Sequence, residues 1–167
     1  IYSLKNINKP FELDDFGFLV GPILNSAGRL DDANKIVHLL TSKNKETIDK
    51  LLLDLIKINE KRKKIENDLL KEINFEKINT DNDDVIVLYD KFLNEGLIGI
   101  IASRLKDHFN KPTIVLTKSN NILKASARST PNFNIGKYIK LCIDKEIIMN
   151  GGGHNLAAGF TIKKENL

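Results

Sequence analysis

From residue 47 to residue 73, apolar side chains return at spacings of three, four or seven: Ile48, Leu51, Leu55, Ile58, Ile65, Leu69 and Ile73. Lysines, glutamates and Arg62 fill the other positions, and neither Gly nor Pro interrupts. This spacing predicts an amphipathic helix of about 27 residues, about 40 Å long at 1.5 Å per residue. That length exceeds a small domain's diameter, so the helix is either a coiled-coil strand or a rigid spacer. The apolar stripe is narrow and breaks between Ile58 and Ile65, where Arg62 sits, which favours the spacer.

Beyond the acidic turn Asp81-Asn82-Asp83-Asp84 the period changes. The continuous apolar run 85–89 reads as a buried strand. Asn94 is placed to cap a helix to about Phe109, with Leu97, Ile98, Ile101, Leu105 and Phe109 inward. A second strand over 113–117, turn chemistry at Ser119-Asn120-Asn121 and a third strand at Ile122–Arg128 follow. A helix over 135–142, a glycine turn, a short helix and a last strand near 160–162 complete the pattern. Strands alternating with helices predict a mixed α/β domain with its boundary near residue 80. Upstream, Pro10, Gly17, Gly21, Pro22 and Gly28 punctuate a loop-rich stretch over 1–30. Asp31 or Asp32 caps a short helix to about Leu40, expected to bury Ile36, Val37, Leu39 and Leu40.

The chain has 167 residues, 41% hydrophobic and 29% charged, enough for one ordinary domain or two small ones. A chain of this length buries roughly 70% of its extended surface and builds a core without disulfides. The single cysteine, Cys142, excludes a disulfide framework and a multi-cysteine zinc site within the chain, and fits a reducing, cytosolic setting. No run of about 18 uncharged apolar residues predicts a membrane span. The first residues lack the basic start and apolar run of a secretory signal. Net charge is +4, mildly favouring an anionic partner. Over 118–145, Lys118, Lys124, Arg128, Lys137, Lys140 and Lys145 face Asp144 alone, a local excess of five. Solvated loops also carry such blocks.

Three segments carry candidate chemistry. The first is GGGHNLAAG over 151–159. Three consecutive glycines cost about 0.5–1 kcal/mol each against alanine in regular structure. One use for them is a turn whose bare amides face an anion at the start of the next helix. Gly151, Gly152 and Gly153 then form the turn, with His154 at its mouth; a tight turn with a capping histidine reads equally well. The second segment is KASARST over 124–130, where Lys124, Ser126 and Arg128 share one face of a strand and make a phosphate-contact row with Ser129 and Thr130 beyond. An exposed sheet face gives the same pattern. Phe133, just past it, is either a base-stacking ring or a buried anchor. The third is GPILNSAGR over 21–29, where small residues bracket Asn25 and Arg29; plain loop packing explains it too.

No metal site emerges from the residues. His38, His108 and His154 lie far apart without acidic or cysteine partners at ligand spacing. The Asp81–84 run lacks the glycine and bidentate glutamate of a calcium loop. Arg104, His38 and His108 read as helix-surface residues and Cys142 as core.

Together these segments resemble one family. GPILNSAGRLDDA is similar to the G-P-x-x-N-A-A-G-R segment that closes the catalytic domain of RecJ-type single-strand-specific exonucleases, within the DHH phosphoesterase superfamily. NEGLIGIIASRLKDHFNKPTIVL resembles the stretch that opens their DHH-associated domain, KASARSTPNFNI their S-x-R-S strand, and GGGHNLAAGF their G-G-G-H motif. The last alone fits any DHH-superfamily phosphoesterase or the tail of alanyl-tRNA synthetase; GPxxNxAGR is the specific element. The resemblance implies an α/β fold: a small mixed-sheet α/β domain preceded by a long linker helix and the helical end of a second lobe. Residues 1–44 would be the incomplete end of a catalytic domain, 45–80 the connecting helix and 81–167 the substrate-binding domain.

It further implies a cytoplasmic 5′ to 3′ exonuclease of DNA repair and recombination, using Mn2+ or Mg2+ on single-stranded DNA, with other repair proteins as partners. Asn25 and Arg29 would line the groove near the 5′ phosphate. Ser126, Arg128 and Ser129 would hold the nucleic-acid backbone, and Gly151, Gly152, Gly153 and His154 would face the scissile phosphate, with His154 in a catalytic role. Leu93 and Asn94 stand where the family usually carries Trp-His. The Asp-His-His motif and other metal-binding aspartates are missing; in such proteins they lie upstream of Ile1. The chain then holds the nucleic-acid-binding lobe without the metal site and is expected to be inactive alone. The remaining alternatives are an oligonucleotide or cyclic-dinucleotide phosphodiesterase and a non-enzymatic nucleic-acid-binding module.

Overall fold

The computed structural model describes residues 1, 3–5, 7–73 and 84–167, and the acidic run at 81–83 and the expected boundary near 80 lie outside them. Two compact units divide the chain, Ile1–Leu69 and Leu70–Leu167.

In the first unit a π-helical turn, Phe16–Val20, runs into helix α1, Gly21–Leu30, followed by α2, Asn34–Thr41, and the long α3, Lys45–Glu72. The segment expected to be loop is therefore helix. Pro22 explains it: proline is tolerated in the first turn, where its missing N–H has no intrahelical partner anyway. Ile23 and Ala27, four apart, are fully buried and pack with Leu39, Leu55, Ile56 and Ile58. The Ser26 hydroxyl donates to the Ile23 and Leu55 carbonyls at 2.6 and 3.3 Å, tying α1 to α3. In α2 only Leu39 of the expected face is buried. Ile36 is half-buried, while Val37 and Leu40 stand exposed, so its inward stripe is narrower than the run of apolar residues suggested. Helix α3 follows the predicted stripe, and at its break Arg62 Nε donates to Asn59 Oδ1 at 3.1 Å and Nη1 to Glu66 Oε2 at 3.0 Å.

The second unit is a five-stranded sheet: β1 (Ile86–Tyr89), β2 (Thr113–Ser119), β3 (Ile122–Arg128), β4 (Asn150–His154) and β5 (Ala157–Lys163), in the order β1-β2-β3-β5-β4. Only β1 and β2 are parallel, joined by α4, Ile98–Phe109. Asn94 does not cap α4; its Oδ1 accepts from the Gly96 amide in the preceding turn. Strand β1 is an edge, not a buried strand, and Val87 is 57% exposed. An apolar run specifies a strand more firmly than it specifies cover on both faces.

Helix α5, Ile135–Asp144, lies opposite to α4. Leu116, Leu123, Ala125, Ala127, Ala158, Phe160 and Ile162 form one core with Ile135, Ile139 and Ile148. Cys142 is half-buried beside it. On the other face α4 packs over β2 and β3.

The glycine segment departs most from expectation. No helix follows it: 150–163 is a β-hairpin turning at Asn155 and Leu156. None of the glycines adopts positive φ, so they are not there for turn geometry. They answer close packing instead. A Cβ on Gly151 would stand 2.6 Å from Phe160 Cβ, and one on Gly153 would stand 2.5 Å from the Ala157 carbonyl oxygen and Ala158 Cβ.

Candidate nucleic-acid interface

In an antiparallel ladder, residues directly opposite one another project from the same face. The register therefore assembles the site. Arg128 pairs with Ala157 and Ala157 with His154, so both side chains lie in one transverse row. At about 4.8 Å per strand the two stand about 10 Å apart. The next row is Ser126, Gly159 and Gly152, and the next Lys124, Thr161 and Asn150. Alternation along β3 puts Leu123, Ala125 and Ala127 into the core and leaves the polar residues on the α4 face.

Cover on that face stops at β3. Above β5 and β4 the face is lined by Gly159, Gly152, Ala157 and the exposed His154, and a Cβ on Gly152 would meet nothing within 4 Å. The result is a shallow, backbone-rich floor with a guanidinium on one side and an imidazole on the other.

Its polar groups are held in place. Arg128 Nη1 donates to Ser126 Oγ at 3.1 Å and to the Ala127 carbonyl at 2.8 Å. Gly99 of α4 makes room for both: its absent Cβ would lie 3.0 Å from the guanidinium and from Ser126 Oγ. The His154 Nδ1 accepts from the Leu156 amide at 3.4 Å, which leaves the proton of the neutral ring on Nε2, able to donate outward. Lys124 Nζ is tied to Glu95 at 2.6 Å, and with a further hydrogen bond from Ser119 this holds the Glu95 carboxyl below the usual carboxylate range.

The other candidates fall elsewhere. Ser129 is buried and turned inward, its hydroxyl donating to the Phe133 carbonyl at 2.5 Å and its amide to the Leu156 carbonyl. Gly151 and Gly153 project toward the α5 face, away from His154. Asn25 and Arg29 belong to the first unit, one helical turn apart on α1, with Asn25 exposed and Arg29 half-buried. Burial, and then the charge of Arg62, push the Arg29 guanidinium below its usual range, with Glu66 opposing. Sequence reasoning did not single out Gly159 or Gly99 as parts of this face. The small residue at Gly159, directly opposite Gly152 on the neighbouring strand, is visible only once strand pairing is known.

Among the described residues, no group of three or more His, Cys, Asp or Glu could hold a metal ion. No helix among them is long and apolar enough to cross a membrane.

Residues 82–167 match the DHHA1 domain family. The chain is 34% identical over 170 residues to the single-stranded-DNA-specific exonuclease RecJ of Haemophilus influenzae, covering 97% of this chain and 29% of that protein. To RecJ of Bacillus subtilis it is 35% identical, covering 90% of this chain and 19% of that one. A crystal structure of Thermus thermophilus RecJ in complex with Mn2+ has the same fold, with a TM-score of 0.83, 23% identity, and coverage of 96% of this chain and 24% of that one. The chain thus spans less than a third of the relatives it matches.

Proposed function

The chain belongs to the DHHA1 domain family, in its RecJ-like form, and from that premise we propose that it is the nucleic-acid-binding part of a single-stranded-DNA-specific exonuclease acting from the 5′ end. The observation that carries this reading is the single transverse row of Arg128, Ala157 and His154 beside the bare backbone at Gly152 and Gly159. A sugar-phosphate strand needs a close approach and cationic or N–H donors spaced along a flat track, and this face offers both.

Each residue then has a role. Arg128, its fork set by Ser126, clamps a backbone phosphate. His154 donates from Nε2 to the phosphate to be cleaved, a contact that orients it. Gly152 and Gly159 admit the strand where any side chain would hold it off. Ser129 acts indirectly, fixing the loop behind Arg128. Asn25 and Arg29 of α1 bind near the 5′ phosphate.

The described residues do not fit a two-metal centre, which needs clustered carboxylates holding two ions about 3.5–4 Å apart. The reading assigns Mn2+ or Mg2+ to carboxylates of the parent enzyme outside this sequence, and the isolated chain is inactive. In the same reading 1–44 ends the catalytic domain, 45–80 connects and 81–167 binds substrate. The parent works in the cytoplasm in DNA repair and recombination, with other repair proteins.

The test is the affinity of the 167-residue chain for single-stranded oligonucleotides across a salt series. Phosphate neutralisation releases counterions, so Arg128→Ala should weaken all sequences equally and lower the salt slope by about one. A change in base preference, or no loss, would contradict the clamp.

A further inference from the structure

The ten residues after Arg128 contain a feature that the phosphate row does not use. The rings of Phe133 and Tyr138 stack at 4.6 Å between centroids and 6° between planes. Phe133 is packed against the core, while Tyr138 is 48% exposed, so the pair presents an aromatic surface backed by the core.

Its position is fixed from three sides. Phe133 accepts from Ser129 at its carbonyl and donates from its amide to the Thr130 carbonyl. Asn134 Oδ1 accepts from the Lys137 amide and starts α5 at that point. The first turn of α5 lies against the end of β4: a Cβ on Gly136 would be 2.9 Å from the His154 carbonyl oxygen, and Ile135 donates to the Asn155 carbonyl. The pair therefore lies on the α5 side of the sheet, at the end of β4 that carries His154. Lys137 and Lys140, three apart, share one exposed side of α5, turned away from Tyr138, and among the described residues neither has a carboxylate at ion-pair distance.

We propose that the stacked Phe133–Tyr138 pair is a base-stacking subsite for one unpaired nucleobase of a strand that leaves the Arg128–His154 row and passes over the end of the sheet onto α5. Every base has a π-face, so such a platform adds affinity and register without reading sequence. Lys137 and Lys140, together on the exposed side of the same helix, add attraction for the strand's phosphates. This inference rests on the proposed function, since it presupposes a single strand on the α4 face.

The test is fluorescence anisotropy of the 167-residue chain with a labelled 12-nucleotide single strand, intact or with one abasic nucleotide moved through successive positions. Tyr138→Ala should weaken the intact strand about tenfold, within the usual range for one base on one ring. Tyr138→Phe should bind as the unmodified chain does. One abasic position should weaken the unmodified chain by a similar factor and have no further effect in Tyr138→Ala. Because the sequence contains three tyrosines and no tryptophan, quenching of tyrosine emission on binding gives a second readout, absent in Tyr138→Ala. Equal losses for Tyr138→Ala on intact and abasic strands would make Tyr138 merely structural and overturn the subsite. Unchanged affinity in Tyr138→Ala, with Arg128→Ala still weakened, would overturn the subsite alone. An unmodified chain that binds no single strand would overturn the proposed function with it.

Discussion

The two faces of the five-stranded sheet come from the same residues taken alternately, yet one is sealed and the other half open. On the α5 face Leu116, Leu123, Ala127, Phe160 and Ile162 close a core that reaches across β2, β3 and β5. On the α4 face helix cover stops at β3, leaving Gly152, Gly159 and His154 over the last two strands. The neighbouring glycines of β4 belong to different faces and serve different ends. Gly151 and Gly153 are small because the paired strand β5 leaves no room. Gly152 faces open space, so packing gives no reason for its size, and the proposed approach of a strand would supply one.

The largest effect expected from this contrast is on stability. Gly153→Ala places a methyl 2.5 Å from backbone and from Ala158, and should destabilise by about 1–3 kcal/mol, measured by urea denaturation. Gly152→Ala should leave stability within about 0.5 kcal/mol and instead weaken single-strand binding. If the two substitutions proved equally destabilising, the division of the glycines between faces would fail.

A smaller effect concerns Lys124, on the open face but engaged by Glu95. Glu95→Gln should release it, raising single-strand affinity and steepening the salt dependence by up to about one. The pH dependence has a defined sign. The Glu95 carboxyl is lowered from its ordinary value of 4.5 in the folded protein, first by its hydrogen bond with Lys124. Its contribution to stability is therefore present at neutral pH and lost as pH falls below about 4.5 through the lowered value. The melting temperature of Glu95→Gln should lack this component of the acid-side decline. Parallel declines in both proteins would remove Glu95 from the account.

Much of this architecture could be read from side-chain periodicity. The long stripe of α3 and the alternation along β3 are strong signals, and both elements lie where they were expected. The hairpin of β4 and β5 escaped because Gly-Gly-Gly-His-Asn-Leu-Ala-Ala-Gly has almost no side chains with which to show a period of two. Its alanines favour helix locally, and pairing with β3 overrides them. In α1 the glycines and proline masked an inward pair, Ile23 and Ala27, and Pro22 at the helix start was the available clue. Arg128 and Ser126 were found by strand alternation, whereas the exclusion of Ser129, Gly151 and Gly153 from their face depends on contacts between distant segments.

The most direct test of the central claim is side-chain NMR of the 167-residue chain titrated with a short single-stranded oligonucleotide. The account predicts shifts of the His154 imidazole, the Arg128 guanidinium and the Gly152 and Gly159 α-protons, with the methyls of Leu123, Ile139 and Ile162 unmoved. Shifts confined to the α5 side, with His154 and Arg128 silent, would contradict it.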